Sequence, residues 1–370
     1  MDGVNKRKKI LAIDCRMSGY SGIGTYIDNL IPKLIEALPE WSFRLLVSSN
    51  NDRLAGLPPD RSDIVKCDAK VYSIKEQFVL PALVRSADAL WVPHYISPFL
   101  SKIPLIVTVH DIAHIVLPQH RASMLKQLYA KCFLRRARDK AKLIFTVSEF
   151  SKKEFCKYIG EPNGRCIICY NAVADSWFAH RCAPKPLSFP YICFVGNMKP
   201  HKRPELLGSA FAEIVKTVPH HLVYVGRPAK DACIEQWFRT NHPDTMNRVH
   251  FVTHATHEEL RAYVQHADAL VFPSSYEGFG LPPLEAMASG TMVIASAIPV
   301  VKEVCHDVPL YFADGDSQGL QNQLLALSAM PEEEKLKRIE AGKALARSYS
   351  WAASAKIIAE HIDTFFDTAP

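Results

Sequence analysis

Pro273-Ser-Ser-Tyr-Glu-Gly-Phe-Gly-Leu-Pro-Pro-Leu-Glu-Ala-Met-Ala-Ser-Gly290 joins a strand end, a glycine loop and a proline-started helix in one stretch. Pro282 or Pro283 suits the first helical turn, where a missing N–H costs nothing, and Gly290 suits the C-terminal stop. Gly278 and Gly280 remove side chains where the backbone turns. The amides of Phe279, Gly280 and Leu281 can then approach an anion at the helix N-terminus, where the dipole also favours negative charge. Glu277 stands before the loop and Glu285 one turn into the helix, so the carboxylates flank the loop and can accept hydrogen bonds from two different polyols. For an isolated pair of glutamates, a plain strand-to-helix turn with a weak dipole contact at Glu285 is the simpler reading; here the glycines and prolines accompany them.

Outward from this stretch the pattern repeats. Ahead of it lie apolar runs at Tyr191–Val195, His221–Val225, Val249–Val252 and Ala269–Phe272, with helical stretches at Pro204–Lys216 and His257–His266 between them; a helix at Pro283–Ser289 and a strand at Met292–Ala295 follow. The first half reads alike: strands at Lys9–Asp14, Phe43–Ser48, Ala89–Val92, Leu105–Val109, Leu143–Val147 and Cys166–Cys169, and helices at Gly24–Leu38, Ser123–Lys142 and Ser148–Tyr158. Strands alternating with helices predict parallel sheets, here two of them without repeated sequence. Between Trp177 and Pro190 the apolar period stops and prolines 184, 186 and 190 mark a linker. Late in the chain a charged helix, Glu332–Ser348, precedes Trp351 and an amphipathic helix, Ala353–Phe366.

At 370 residues, 48% apolar and 22% charged, the chain suits two soluble domains. No apolar run approaches the roughly 18–20 residues of a membrane span, and Ile10–Ile13 is short of a signal-peptide core, so a cytoplasmic location is expected. The ten cysteines are scattered. Cys166-Ile-Ile-Cys169 has no second pair at ligand spacing, and on a strand its thiols point to opposite faces, so reduced, structural thiols are expected. A net charge of +6 without a basic, aromatic-interleaved platform argues against nucleic acid and for an anionic small molecule or lipid surface.

Four other stretches carry candidate chemistry. Lys202, in Val195-Gly-Asn-Met-Lys-Pro-His-Lys-Arg203, leads into a helix and can meet a diphosphate as a compact point charge. His110 and Asp111 end the strand Leu105–Val109, where ligands bind in open α/β sheets; a buried histidine capping the sheet is the alternative. Gly22-Ile-Gly24 opens the first helix, as glycine turns commonly do. Arg121–Lys142 carries eight basic residues against Asp139 with Leu125, Leu128, Tyr129, Cys132 and Phe133 among them. It reads either as a helix on an anionic membrane or as a surface helix packed on its own domain. Two further stretches read as structural. Thr256 with Glu259 fits a capping box as well as a base contact, and Asp314-Gly-Asp316 reads as a turn.

The Glu277–Glu285 string resembles the EX7E signature of glycosyltransferase family 4, a large group of retaining GT-B enzymes, and the resemblance extends over nearly the whole chain. It implies an α/β fold of GT-B type, two Rossmann-like doubly wound lobes with an interdomain cleft. The domains expected are 1–178, completed by a C-terminal helix over 351–370, a linker over 179–190, and a nucleotide-sugar lobe over 191–350. Carried over, the resemblance implies that Glu277 contacts hydroxyls of the transferred sugar, Glu285 holds the ribose, and the Phe279, Gly280 and Leu281 amides meet sugar and diphosphate. Lys202 would meet the donor phosphates, with Lys199 or Arg203 as the second cation because Asn197 and His201 occupy positions where the pattern often has arginine. The Gly22–Gly24 loop would close over the diphosphate, and His110 would approach the reacting face of the sugar.

What the resemblance implies chemically is metal-independent retaining transfer, with Glu277, His110 and Lys202 as the catalytic set and the leaving diphosphate taking the acceptor's proton. No cofactor is expected. The donor expected first is GDP-mannose, with UDP-glucose or UDP-N-acetylglucosamine second. The acceptor expected is a glycan, free or polyprenyl-diphosphate-linked, in bacterial surface polysaccharide assembly, with the protein peripheral on the inner face of the cell membrane. A GT-B epimerase or phosphorylase and a non-catalytic nucleotide-sugar binding subunit are the rivals.

Overall fold

The computed structural model describes residues 7–117, 124–179, 184–227 and 233–368. Contacts divide the chain into two units, residues 1–171 with 350–370, and residues 172–349. The sequence placed the first boundary at 178, seven residues later than the contacts do. The difference has a local cause: the carbonyls of Ser176, Trp177 and Ala179 accept hydrogen bonds from Arg261, Ser289 and Gln265, which attach this segment to the second unit. Residues 180–183 of the expected linker lie outside the described residues.

The first unit runs β1 (Lys9–Asp14), α1 (Ser21–Ala37), β2 (Trp41–Val47), β3 (Ser62–Lys66), α2 (Glu76–Val84), β4 (Ala89–Val92), β5 (Leu105–Val109), α3 (Ala113–Val116), α4 (Met124–Lys140), β6 (Ala141–Thr146), α5 (Glu149–Ile159) and β7 (Arg165–Ile168). Its strands form one parallel sheet of order β3-β2-β1-β4-β5-β6-β7. Every residue of β4 and β5 is buried, as continuous apolar runs require of strands covered on both faces. β3, with no fully buried residue, is one of the two edge strands.

The second unit runs β8 (Tyr191–Val195), α6 (Pro204–Ile214), β9 (His221–Val225), α7 (Ile234–Asn241), β10 (Val249–Val252), α8 (His257–Gln265), β11 (Ala269–Phe272), α9 (Leu281–Ala288), β12 (Met292–Ser296), α10 (Pro299–Cys305), β13 (Leu310–Phe312), α11 (Ser317–Ala329) and α12 (Glu332–Ser348). The sheet order is β10-β9-β8-β11-β12-β13, again parallel. Its core gathers Phe194, Leu207, Phe211, Tyr224, Phe238, Val271 and Ile294. The last helix, α13 (Trp351–Thr368), belongs to the first unit. There it lies along α1, with Asp363 accepting from Trp41 Nε1 at 2.7 Å and Phe366 edge-on to Trp41.

Both sheets reverse strand order beside their first strand, between β1 and β4 in one and between β8 and β11 in the other. In an open α/β sheet the crevice at such a reversal, outside the carboxyl ends of the strands, is where ligands bind. Among the described residues no helix is long and apolar enough to cross a membrane, and none of the described cysteines is disulfide-bonded.

Candidate functional site

The second unit's reversal point is built by two loops. From β8 the chain passes through Gly196 into a 3-10 turn, Pro200–Lys202, and Arg203 takes a left-handed conformation to start α6. From β11 it passes through Pro273–Phe279 to Gly280, whose φ of 94° few other residues adopt, and α9 begins. The loops are tied together: Ser275 donates to the His201 carbonyl through its amide at 2.8 Å and its hydroxyl at 3.0 Å. Ser296 donates its hydroxyl to the Ser274 carbonyl beneath them.

This bracing brings Lys202 to Glu277. Lys202 Nζ donates to Glu277 Oε1 at 2.7 Å, and Ser274 Oγ donates to the same oxygen at 2.8 Å. Lys202 also sits 5.7 Å from the Phe272 ring centroid. Both partners of the ion pair are 16% exposed, so charge-assisted hydrogen bonding holds the carboxylate in one orientation. Oε2 of Glu277 has no partner among the described residues, and it is the oxygen that can accept from a sugar hydroxyl. Lysine keeps two further N–H donors for an anion.

The α9 N-terminus complements that cation. Prolines at 282 and 283 have no N–H, so the donors at this helix end come from the residues around them. The amides of Gly280 and Leu281 have no acceptor among the described residues. The Phe279 side chain is 4% exposed and packs edge-on to Tyr349, so any ligand contact by Phe279 falls to its backbone. Four residues into α9, Glu285 has no side-chain partner among the described residues, and burial alone pushes its carboxyl up to about 7. An unpaired carboxyl so disfavoured in its charged form can accept a hydrogen bond and, when protonated, donate one.

Arg203 stands apart from this group. Its guanidinium donates to Asp314 Oδ1 at 2.6 Å, beyond β13, so the structure joins Lys202, and not Arg203, to Glu277. Asp314 is thereby an ion-pair partner, and Asp316 caps α11 by accepting from the Gly319 amide at 2.9 Å, so the DxD triplet is a turn with two structural tasks. Thr256 and Glu259 form a reciprocal capping box on α8. No group of three or more His, Cys, Asp or Glu side chains among the described residues is arranged to hold a metal ion.

In the first unit, His110 follows β5. Its Nε2 lies 3.1 Å from the Pro93 carbonyl, which can only accept, so the ring proton is on Nε2 and Nδ1 presents a lone pair. Burial lowers its pKa to about 4, so the imidazole is neutral near pH 7, and Tyr26 packs edge-on to it at 4.9 Å. The two glycines of the first loop differ. A Cβ on Gly24 would lie 2.8 Å from Gly19 N and 2.9 Å from Met17 O, so the fold itself requires glycine there. A Cβ on Gly22 would meet nothing within 4 Å, so packing does not explain that glycine.

The helix α4 divides its apolar residues. Ala130, Phe133, Leu134 and Ala137 are buried in the unit's core, whereas Leu125 (81% exposed), Leu128 (64%) and Tyr129 (38%) are not. One face of the helix thus packs on its own unit and the other is exposed to solvent; Arg121 lies outside the described residues. The sequence reading missed a buried cluster at the β1/β4 reversal, Asp14, Arg16, Glu76 and His94, whose members lie up to 80 positions apart. Only Asp14, which ends the apolar run Ile10–Ile13 of β1, signals it in the sequence.

Comparison with known proteins agrees with this architecture. Residues 20–177 match the family described as Glycosyltransferase Family 4, and residues 175–344 match Glycosyl transferases group 1. The O-antigen chain mannosyltransferase RfbU of Salmonella typhimurium is 30% identical over 240 residues, covering 65% of this chain and 64% of that protein. The O-antigen chain mannosyltransferase B of Escherichia coli is 26% identical over 257 residues, covering 66% of each. The matches thus span just under two thirds of the length of these relatives. Among solved structures, sucrose-phosphate synthase from Thermosynechococcus elongatus superposes with a TM-score of 0.77 at 19% identity, covering 98% of this chain and 100% of that one, a likeness of fold. Two Rossmann-like units of GT-B type and matches that run without a gap from residue 20 to residue 344 lead to one assignment: the chain belongs to glycosyltransferase family 4.

Proposed function

We propose that the protein transfers a sugar from a nucleoside diphosphate sugar to a glycan acceptor with retention of anomeric configuration, in the assembly of a bacterial surface polysaccharide. The observation that carries this reading is the β8/β11 reversal point, where Lys202, Ser274 and Glu277 are locked together beside the α9 N-terminus. The site supplies positive charge and amides for a diphosphate, Glu277 Oε2 for a sugar hydroxyl, and Glu285 for a ribose. The acceptor hydroxyl attacks the anomeric carbon as the bond to the β-phosphate oxygen breaks. The departing diphosphate keeps the electron pair and takes the acceptor's proton. Lys202 and the helix dipole stabilise the growing charge, so no resident metal is assigned, and chelation with EDTA should leave the rate unchanged.

GDP-mannose is the donor we propose, a reading supported by the mannosyltransferase names of the two relatives. His110, through its Nδ1 lone pair, and Gly22 are the first unit's proposed contributions to the reaction. The acceptor is proposed to be carried on a polyprenyl diphosphate, with the exposed leucines of α4 and the basic residues Lys131 and Arg135 resting on the anionic inner face of the cell membrane. A panel of nucleotide sugars tests the central reading: thermal shift reports binding and enzymatic detection reports nucleotide release. A selective shift with a guanosine diphosphate sugar and release of GDP in the presence of acceptor is expected. Epimer formation without nucleotide release, or no shift with any nucleotide sugar, would remove it.

A further inference from the structure

Lys202 is held at its charged end by Glu277 and, through the chain, at both neighbouring residues. On one side the His201 carbonyl accepts the Ser275 amide and hydroxyl. On the other, Arg203 is a non-glycine residue in the left-handed region, with φ of 48° and ψ of 50°. Side chains rarely settle there unless their surroundings compel them, because Cβ crowds the following carbonyl. Arg203 is also the joint between two hydrogen-bonded systems. Its amide closes the 3-10 turn on the Pro200 carbonyl at 3.1 Å, and its carbonyl opens α6 by accepting the amides of Leu206 at 3.2 Å and Leu207 at 3.5 Å. The left-handed residue therefore sets the angle between the turn that carries Lys202 and a helix anchored in the core by Leu207 and Phe211.

What compels Arg203 comes from a third loop. Its guanidinium donates through Nη1 to Oδ1 of Asp314, which follows β13, at 2.6 Å. The receiving loop is itself fixed: the Asp316 amide donates to the Ala313 carbonyl at 3.0 Å, and the Asp316 side chain caps α11. Between the two aspartates, Gly315 is left-handed with φ of 79°, and a Cβ on it would lie 3.1 Å from Arg203 Nη1. Glycine there leaves the guanidinium its place. The turn Asp314-Gly-Asp316 thus seats one arginine. The loop after β8 is tied to the loops after β11 and β13 by the two residues that flank Lys202.

We infer that the Arg203–Asp314 pair is a latch that keeps Arg203 left-handed and so holds Lys202 in reach of the donor diphosphate. The inference rests on the nucleotide-sugar reading of this site and adds two residues to it. Arg203 is a positioning residue acting through Lys202, Asp314 is its seat, and neither touches the donor. The pair's side chains are 31% and 45% exposed, so its contribution is modest and the latched form is a matter of population. Without Asp314 a fraction of molecules leaves the left-handed conformation, and apparent affinity falls in proportion to the latched fraction that remains.

Two measurements on the whole protein test the latch. Calorimetric titration with GDP and with UDP, whichever binds more tightly, compares wild type, Asp314→Ala, Arg203→Asn and the double variant. Asparagine enters the left-handed region far more readily than arginine, so it supplies the conformation without the ion pair. Asp314→Ala should weaken binding about fivefold, the amount a partly exposed pair can supply. Arg203→Asn should bind within twofold of wild type, and so should the double variant, a suppression that general loosening of the fold would not produce. Hydrogen exchange of the Leu206 and Leu207 amides, read without ligand, should quicken about fivefold in Asp314→Ala and return to the wild-type rate when Arg203→Asn is added. Unchanged binding by Asp314→Ala overturns the latch, and so does tighter binding, which would show that a freed Arg203 meets the phosphate itself. A loss in Arg203→Asn that the double variant shares does the same. Exchange unaltered by Asp314→Ala overturns it even in a protein that binds neither nucleotide. Absence of binding by wild type, with the exchange pattern as expected, instead strikes the transferase reading, so the two failures are distinguishable.

Discussion

Glu285→Gln should make the protein more stable at neutral and alkaline pH while removing a group the proposed reaction needs. The folded-state carboxyl titrates at about 7 against 4.5 unperturbed, because burial disfavours its charge and no described side chain pairs with it. A raised acid pKa means the folded protein binds this proton more tightly than the unfolded chain, so stability contributed by the group is full below about pH 4.5 and is lost as pH rises through 7. At 1.36 kcal/mol per pKa unit the full loss is about 3 kcal/mol. Glutamine keeps the shape without the charge and avoids that loss. In a unit of this size the difference corresponds to about 6–12 °C in melting temperature. Melting curves of both proteins between pH 5 and 8.5 should nearly coincide at the acid end and diverge steadily toward pH 8. A gap independent of pH, or a glutamine variant less stable at pH 8, would refute the assignment of an unpaired, desolvated carboxyl.

Two further outcomes follow from local geometry. Gly24→Ala forces a Cβ against the Gly19 and Met17 backbone and should cost about 1–3 kcal/mol by thermal melting. Gly22→Ala, which meets no atom, should leave melting unchanged or slightly raised and still lower sugar transfer at least tenfold. Replacing Leu125 and Leu128 together by Asp should reduce co-sedimentation with phosphatidylglycerol vesicles at least tenfold without altering nucleotide binding, since both side chains lie outside the core.

The parts of the fold visible in the sequence were those where local pattern and tertiary burial agree. β4, β5, β8 and β11 fall on the apolar runs, because strands covered on both faces must be apolar throughout. β3, Ser62-Asp-Ile-Val-Lys66, escaped because an edge strand needs no such run, and β13 because three residues carry no period. The Glu277–Glu285 loop could be read because its glycine and prolines act locally, at the N-cap and first turn of α9. Partnerships across the sheet could not. The sequence order Lys202-Arg203 does not reveal that the first cation turns to Glu277 and the second to Asp314, since the left-handed residue between turn and helix sends adjacent side chains apart. The Asp14, Arg16, Glu76 and His94 cluster was equally hidden, since it exists only once α2 and the loop after β4 are placed beside β1.

The central claim is that the β8/β11 reversal point of the second unit holds the nucleotide sugar. Calorimetric titration of GDP-mannose into wild type, Lys202→Ala, Glu285→Ala and Glu277→Gln tests it most directly. One site per chain is predicted, weakened at least tenfold by Lys202→Ala and by Glu285→Ala. Glu277→Gln should retain binding within a few-fold while losing GDP release. Binding left unchanged by both Lys202→Ala and Glu285→Ala would place the donor elsewhere and contradict the account.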